Sequence, residues 1–265
     1  MQLLRLLLIS ALVSMPISWA VADEQTGEAI NRAGMQRMLS QRIAKSYFFK
    51  GLGENPNLAQ TQLEVAIDKF ESNLRFLKSY IERNTLTTNI NVLERDWKVY
   101  KSLVTENPTK KGGRKVLALS DALLSKAHGL TILLQEFGGG KAAELINISG
   151  RQRMLSQRIS KLYMAYCWGV IGDKALDDMM ESLSEYEVAL DFLKQSPLNS
   201  KKIDHNLRKV TGQLKFAQRS FDKLDEGSYL IYVVNSTTDT MLNQMNDITG
   251  MYVDVMGKSR SLAVK

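Results

Sequence analysis

The sequence predicts an all-α protein built as two tandem up-down-up-down four-helix bundles, and three observations predict it. A seventeen-residue stretch that begins at Asn31 returns at Asn147 with twelve identical positions, which indicates an internal duplication. Each copy contains four segments with apolar residues spaced three and four apart, as in helices that pack into a bundle. No segment alternates apolar and polar residues over enough positions to make a strand.

The chain begins with a segment that is typical of an export signal. Arg5 supplies a positive charge, residues 6–17 are apolar, and Ala20 and Ala22 form an A-x-A cleavage site. We expect cleavage after Ala22 and a periplasmic product. The alternative is an uncleaved membrane anchor, against which Pro16 and the cleavage site argue. The predicted divisions are therefore a signal peptide at 1–22, a first bundle at 23–138 and a second at 139–265.

The repeated motif is predicted to be a helix with two different faces. An apolar ridge at every fourth position is expected to face the first copy's own core: Met35, Leu39, Ile43 and Tyr47. A Gly-x-x-Arg-x-x-x-Gln pattern lies opposite this ridge and occurs in both copies: Gly34, Arg37 and Gln41, then Gly150, Arg153 and Gln157. Glycine inside a helix costs about 1 kcal/mol relative to alanine. We therefore expect another helix or a ligand to approach this face closely.

The charge of the motif points to anions. No acidic residue occurs between Glu28 and Glu54, a stretch that carries five basic residues, and the second motif lies in a similar run. We expect acids on the following helix to pair with some of these bases: Glu64, Asp68 and Glu71. The formal charge of the whole chain is +7. For an exported protein this charge favours small anions or acidic lipid surfaces over nucleic acid as partners.

Three further amphipathic helices are predicted to follow each motif. Their apolar repeats cover residues 63–81, 93–104 and 116–137 in the first copy, and 179–193, 210–224 and 234–252 in the second. Turn signals containing Pro56, Pro108 and Pro197 separate these helices. Three glycines at 138–140 end the first bundle. They permit a tight reversal that lays the motif helices side by side and parallel, and an end-to-end stack of the two bundles is the alternative.

Signatures of an enzyme are absent from the sequence. His128 and His205 have no cysteine or carboxylate partners at the spacing of a zinc site, and two histidines support no nucleophilic triad. The single cysteine, Cys167, excludes an intramolecular disulfide. We therefore expect no catalytic activity, no metal and no cofactor.

The motif resembles the first periplasmic helix of nitrate/nitrite sensor histidine kinases, through Asn-x-x-Gly-x-x-Arg-Met-x-Ser-x-Arg. Its longer form, Gln-Arg-Met-Leu-Ser-Gln-Arg, is more similar to the N-terminal sensor domain of type IV pilus, or PilJ-like, methyl-accepting chemotaxis transducers. In the nitrate sensors the motif helix pairs with its twin across a dimer, and its glycine and arginine hold one small anion. Carried over by position, the resemblance implies these ligand-binding residues: Gly34, Arg37, Met38, Gln41, Gly150, Arg153, Met154 and Gln157.

Two functions follow from these observations. The first is a periplasmic sensory protein that binds a small nitrate- or nitrite-like anion and signals through a membrane receptor, kinase or chemotaxis transducer. The second is a structural or adaptor protein of the envelope that binds no ligand. The first predicts that Arg37 and Arg153 share one anion across a pseudo-two-fold seam within the chain. If they lie more than about 20 Å apart, or roughly two helix diameters, each motif must instead find its twin in a homodimer or bind nothing.

Overall fold

The computed structural model describes residues 16–88, 90–221 and 229–263. Eight helices and no strand occur in these residues: α1 Pro16–Leu52, α2 Pro56–Arg83, α3 Ile90–Thr105, α4 Lys110–Gly138, α5 Gly140–Cys167, α6 Lys174–Lys194, α7 Lys201–Phe221 and α8 Tyr229–Ala263. The predicted all-α fold with four helices in each copy is confirmed. Most of the predicted export segment lies outside the described residues, so its cleavage stays a prediction.

The helix ends follow from local sequence. The Asn55 side chain accepts a hydrogen bond from the Leu58 amide at the start of α2, and Thr109 does the same for Gly112 at the start of α4. Between α4 and α5, Gly139 and Gly140 take φ values of 64° and 73°. Residues with a Cβ rarely adopt this region, and the two glycines therefore permit the abrupt reversal between the copies.

The two motif helices, α1 and α5, lie side by side at the centre of the molecule. Both contact α4 and α8, while α2 covers α1 and α6 covers α5. Positions about 116 residues apart in the sequence meet across this α1–α5 contact, which we call the seam: Gly34 lies beside Gly150, and Gly51 lies beside Trp168. The motif helices are therefore parallel and in register, and the end-to-end arrangement is excluded.

One hydrophobic core runs through both copies. Leu39, Ile43 and Tyr47 are at most 2% exposed, and Met35 is partly buried against them, so the predicted apolar ridge is confirmed. The opposite faces of α1 and α5 are turned toward each other. As a result the motif helices are buried on nearly every side, with their apolar residues in the two bundles and their polar residues in the seam.

The predicted ion pairs between the first motif and α2 are wrong. Glu64 and Asp68 lie on the exposed face of α2, and Glu71 pairs with Lys101 of α3 at 2.6 Å. Arg42 and Lys45 of the first motif pair instead with Asp239 of α8, across the seam, and Arg32 pairs with Glu28 of α1 itself.

Helix α4 is the one described helix whose length and composition would allow it to cross a membrane. Core helices of proteins outside membranes pass the same test. Here α4 packs against α1, α3 and α5.

Candidate functional site

The motif helices come closest where the two glycines lie. A Cβ placed on Gly34 would lie 4.0 Å from the Cα of Gly150. It would also lie 3.2 Å from Nη2 of Arg37 and 3.6 Å from Nη2 of Arg153, and a Cβ on Gly150 would meet the same two atoms at 3.5 and 3.2 Å. Both guanidinium groups therefore occupy the space that two side chains would fill. We call Arg37 and Arg153 the arginine pair.

The arginine pair crosses the seam reciprocally. Nη2 of Arg37 donates to the main-chain oxygen of Asn147 at 3.1 Å, and Nη2 of Arg153 donates to the main-chain oxygen of Asn31 at 3.2 Å. Asn31 and Asn147 are the first residues of the two motifs. Each arginine thus binds the start of the other motif, which is the contact pattern expected of a pseudo-two-fold axis.

The fourth helix of each copy supplies one more acceptor. Nη1 of Arg37 lies 3.2 Å from Nδ1 of His128 on α4, and Nη1 of Arg153 lies 2.9 Å from Oδ1 of Asn246 on α8. These acceptors occupy equivalent positions, because Asn246 follows His128 by 118 residues, as Asp239 follows Asp121. His128 was not among the residues predicted for the site. The constant spacing of the fourth helices was the signal that could have paired it with Asn246.

The charges of the arginine pair are not neutralised within the described part of the chain. Both side chains are 0% exposed, and no carboxylate oxygen of the described residues lies within 4.0 Å of either. The Nε atoms of both are buried without a hydrogen-bond partner. Burial, then the charges of Arg151 and Arg153, lowers the pKa of Arg37 to about 9. Burial likewise lowers the pKa of Arg153 to about 10, against the opposing charge of Glu28. Both arginines remain cationic at neutral pH, although burying a charge without a counter-charge is strongly unfavourable in free energy.

Further along the seam, two lysines of the motifs are buried but paired. Nζ of Lys45 lies 2.8 Å from Oδ1 of Asp239, which also accepts from Arg42 at 2.8 Å and from Gln157 at 3.2 Å. Nζ of Lys161 lies 2.7 Å from Oδ1 of Asp121. Each aspartate belongs to the copy opposite its lysine. These bonds tie the copies together and neutralise both lysines.

The structure brings four of the eight predicted site residues together: Gly34, Arg37, Gly150 and Arg153. The other four make their described contacts elsewhere. Gln41 donates to the main-chain oxygen of Ser120 at 3.1 Å, and Gln157 joins the bonds around Asp239. Met38 and Met154 belong to the hydrophobic core. A part for these four residues in ligand binding stays a prediction.

Both copies of the duplicated unit match the same protein family. A family model described as the N-terminal domain of type IV pili methyl-accepting chemotaxis transducers matches residues 22–119 and 139–244. Each matched segment contains one motif, the two helices that follow it and the first part of the fourth helix. No curated protein and no solved structure matches the chain.

Proposed function

The chain belongs to the PilJ family, the N-terminal domains of type IV pili methyl-accepting chemotaxis transducers, and we propose that it is a periplasmic sensory protein that binds one small anion at the arginine pair. One observation carries the proposal. Two fully buried guanidinium groups share one seam, each has an unpartnered Nε, and no carboxylate reaches either of them within the described residues.

Guanidinium chemistry suits a small planar oxyanion such as nitrate or nitrite. The N–H groups of arginine point in fixed directions that match two oxygens of such an anion. A hydrogen bond to a charged group contributes about 1.5–3 kcal/mol, and a bound anion would also reduce the repulsion between the two cations. The full burial of the arginine pair supports a small anion as the ligand over a large organic acid.

A bound anion would change how the copies are held together, and this supplies a signal. Without it, two like charges weaken the α1–α5 contact at the level of Gly34 and Gly150. With it, both motif helices bind the same group. A ligand shifts a conformational equilibrium by its difference in affinity for the two states, so the anion would favour the tighter seam. We propose that a membrane receptor, kinase or chemotaxis transducer reads this change, and that the protein itself is not an enzyme.

The competing function is that of a structural or adaptor protein. One observation favours it: Nη2 of each arginine already donates to a main-chain oxygen of the opposite motif, so the arginine pair also serves helix packing. In the nitrate sensors the motif pairs between two subunits. Here the pairing occurs within one chain, and a homodimer is not required to bring the arginines together.

Thermal melting in sodium nitrate tests the proposal. A ligand at 100 times its dissociation constant adds about 2.7 kcal/mol to the free energy of unfolding, which corresponds to roughly 5–10 °C for a chain of this size. We expect this increase for the wild type, and its loss in Arg37→Ala and in Arg153→Ala. Arg37→Lys keeps the charge without the guanidinium fork and should retain only part of the shift.

Arg158→Ala is the matched control, because Arg158 lies in the second motif, its side chain is 28% exposed, and its Nη1 lies as far as 4.0 Å from Oδ1 of Asp121. It should respond to nitrate like the wild type. Chloride, sulfate, phosphate and nitrite complete the panel of anions. A folded wild type that none of these anions stabilises would establish the structural function instead.

A further inference from the structure

The two halves of the arginine site differ in the group that the fourth helix provides. Arg153 donates to the amide oxygen of Asn246, which does not titrate, and Arg37 contacts the imidazole of His128. Histidine is the side chain whose unperturbed charge change lies near neutral pH. His128 is also only partly buried, so that protons from solvent can reach it. Apart from this difference between His128 and Asn246, the hydrogen bonds of the arginine pair are symmetric.

The contact with Arg37 defines the protonation state of His128. A guanidinium group can only donate hydrogen bonds, so Nδ1 of His128 must accept in the 3.2 Å contact. The imidazole is therefore neutral and carries its proton on Nε2. A protonated imidazole donates from both nitrogens, and in that state the bond to Arg37 cannot form.

The groups around His128 are mainly cationic. Arg37 faces it from α1 and Arg151 from α5, whereas Glu185 of α6, which pairs with Arg151, opposes them. The acid that α3 contributes near α4, Asp96, is itself paired with Lys126 and Arg95. Burial and then the charges of Arg37 and Arg151 hold the pKa of His128 below its ordinary value. A further proton on this side of the seam is therefore unfavourable while no anion is bound.

We propose that His128 couples anion binding at the arginine pair to the uptake of one proton, so that the protein binds its anion more tightly as the periplasm becomes more acidic. This inference rests on the proposed function. Protonation of His128 has two effects with the same sign. It releases Nη1 of Arg37 from its bond to Nδ1, and it adds a positive charge beside the anion.

Thermodynamic linkage gives the direction and the limit of the effect. An anion stabilises the charged imidazole and so raises the pKa of His128. Reciprocally, protonation of His128 must raise the affinity for the anion by the same factor by which the bound anion raises the affinity of His128 for its proton. Affinity therefore increases as pH falls from the anion-bound pKa to the anion-free pKa, by at most about tenfold per pH unit for one proton. Above the anion-bound pKa this dependence disappears.

Calorimetric titration with sodium nitrate from about pH 8 to about pH 5, where histidine titrates, tests the coupling. We expect the affinity of the wild type to increase roughly fivefold or more over this range, as for a typical coupling energy. His128→Asn copies the acceptor found at Asn246 and should bind nitrate with an affinity that does not change with pH. His205→Asn removes the other histidine of the chain and should behave like the wild type. Asn246→His places a second imidazole beside Arg153 and should steepen the dependence.

A second measurement detects the proton on His128 directly. In the His205→Asn background His128 is the only histidine, so its imidazole resonances can be followed by NMR during a pH titration. Nitrate should move the midpoint of that titration to higher pH. An unchanged midpoint in the presence of bound nitrate would refute the coupling.

The outcomes separate the two proposals. If nitrate binds and the wild type and His128→Asn show the same pH dependence, the coupling is wrong and the anion site stands. If neither protein binds nitrate or any other anion of the panel at any pH, both proposals are wrong. A pH dependence that is lost in His205→Asn instead of His128→Asn would also refute the role of His128.

Discussion

The buried bases of the seam lie at two levels along it, a lysine level and an arginine level, and only the lysines have acidic partners among the described residues. This contrast indicates what the arginine pair is suited for. At one level Lys45 and Lys161 are fully buried, and each has an aspartate within 2.8 Å. At the other level Arg37 and Arg153 are equally buried and have no carboxylate within reach in the described part of the chain. The fold thus gives two of the four buried bases a counter-charge and leaves the other two without one among the described residues.

The same two helices line both levels. Helix α4 provides Asp121 to Lys161 and, seven residues later, His128 to Arg37; helix α8 provides Asp239 to Lys45 and, seven residues later, Asn246 to Arg153. Seven residues are about two helical turns, which returns a side chain to nearly the same face. The fold can therefore present an acid to either level. At the arginine level it presents neutral acceptors, which orient the arginines and leave their positive charges uncompensated.

The largest effect is expected where a neutralising acid is removed. Asp239→Asn leaves Lys45 buried without a counter-charge, and breaking a buried ion pair in this way costs about 3–5 kcal/mol. Asp121→Asn should cost less, because Asp121 is 45% exposed and water can approach Lys161 once the acid is gone, whereas Asp239 is 19% exposed. Urea denaturation of the two variants measures the difference. Equal losses would contradict the distinction between the two aspartates.

The pH dependence of stability provides a control for this prediction. Burial alone would raise the pKa of Asp239, but the charges of Lys45 and Arg42, together with hydrogen bonds from Lys45 and Gln157, hold that pKa below its ordinary value. The folded state therefore binds this proton less readily than the unfolded state. The stabilisation by Asp239 is complete above the unfolded pKa of about 3.9, and it is lost as pH falls through the folded value. The wild type and Asp239→Asn should differ fully at neutral pH and converge in strong acid.

An intermediate effect is expected when the arginine level is given an acid of its own. Asn246→Asp places a carboxylate against Nη1 of Arg153, where the amide oxygen now lies at 2.9 Å. A charge-assisted bond at this position should raise the free energy of unfolding by about 1.5–3 kcal/mol. It should also abolish the stabilisation by nitrate, because the site is then neutralised internally and repels anions.

Asn246→Ala is the matched control for this variant. It removes the acceptor without adding charge, so it should lower stability and still permit binding of nitrate. If Asn246→Asp is stabilised and binds nitrate as tightly as the wild type, the uncompensated charge of the arginine pair is not what holds the anion.

The arginine pair could be predicted from the sequence, but the side chains that reach the seam from α4 and α8 could not, for a physical reason. The duplicated motif placed Gly34 and Arg37 on one face of a helix, and the equal treatment of Gly150 and Arg153 predicted that the two faces meet. A pattern of apolar residues shows which side of a helix is buried, but it does not show which helix covers it. Asp239, Asp121 and His128 reach the seam from α8 and α4, and that arrangement depends on how the copies pack together. The acids expected to pair with the motif, on α2, were chosen by proximity in sequence.

The smallest effect on stability is expected at the glycines that make room for the arginine pair. Gly34→Ala should gain about 1 kcal/mol of helix propensity, but the new methyl group would lie 3.2 Å from Nη2 of Arg37 and 3.6 Å from Nη2 of Arg153. Both groups must then shift within a packed seam, which offsets most of the gain. We expect a change in the free energy of unfolding of less than about 1 kcal/mol, together with a clear loss of affinity for nitrate. Gly129→Ala on α4 provides the comparison, since, apart from its own helix backbone and chain neighbours, no described atom lies within 4 Å of its Cβ position. That variant should show the full gain in stability and unchanged nitrate binding, and equal nitrate affinities in the two variants would mean that the glycines of the motif serve helix packing alone.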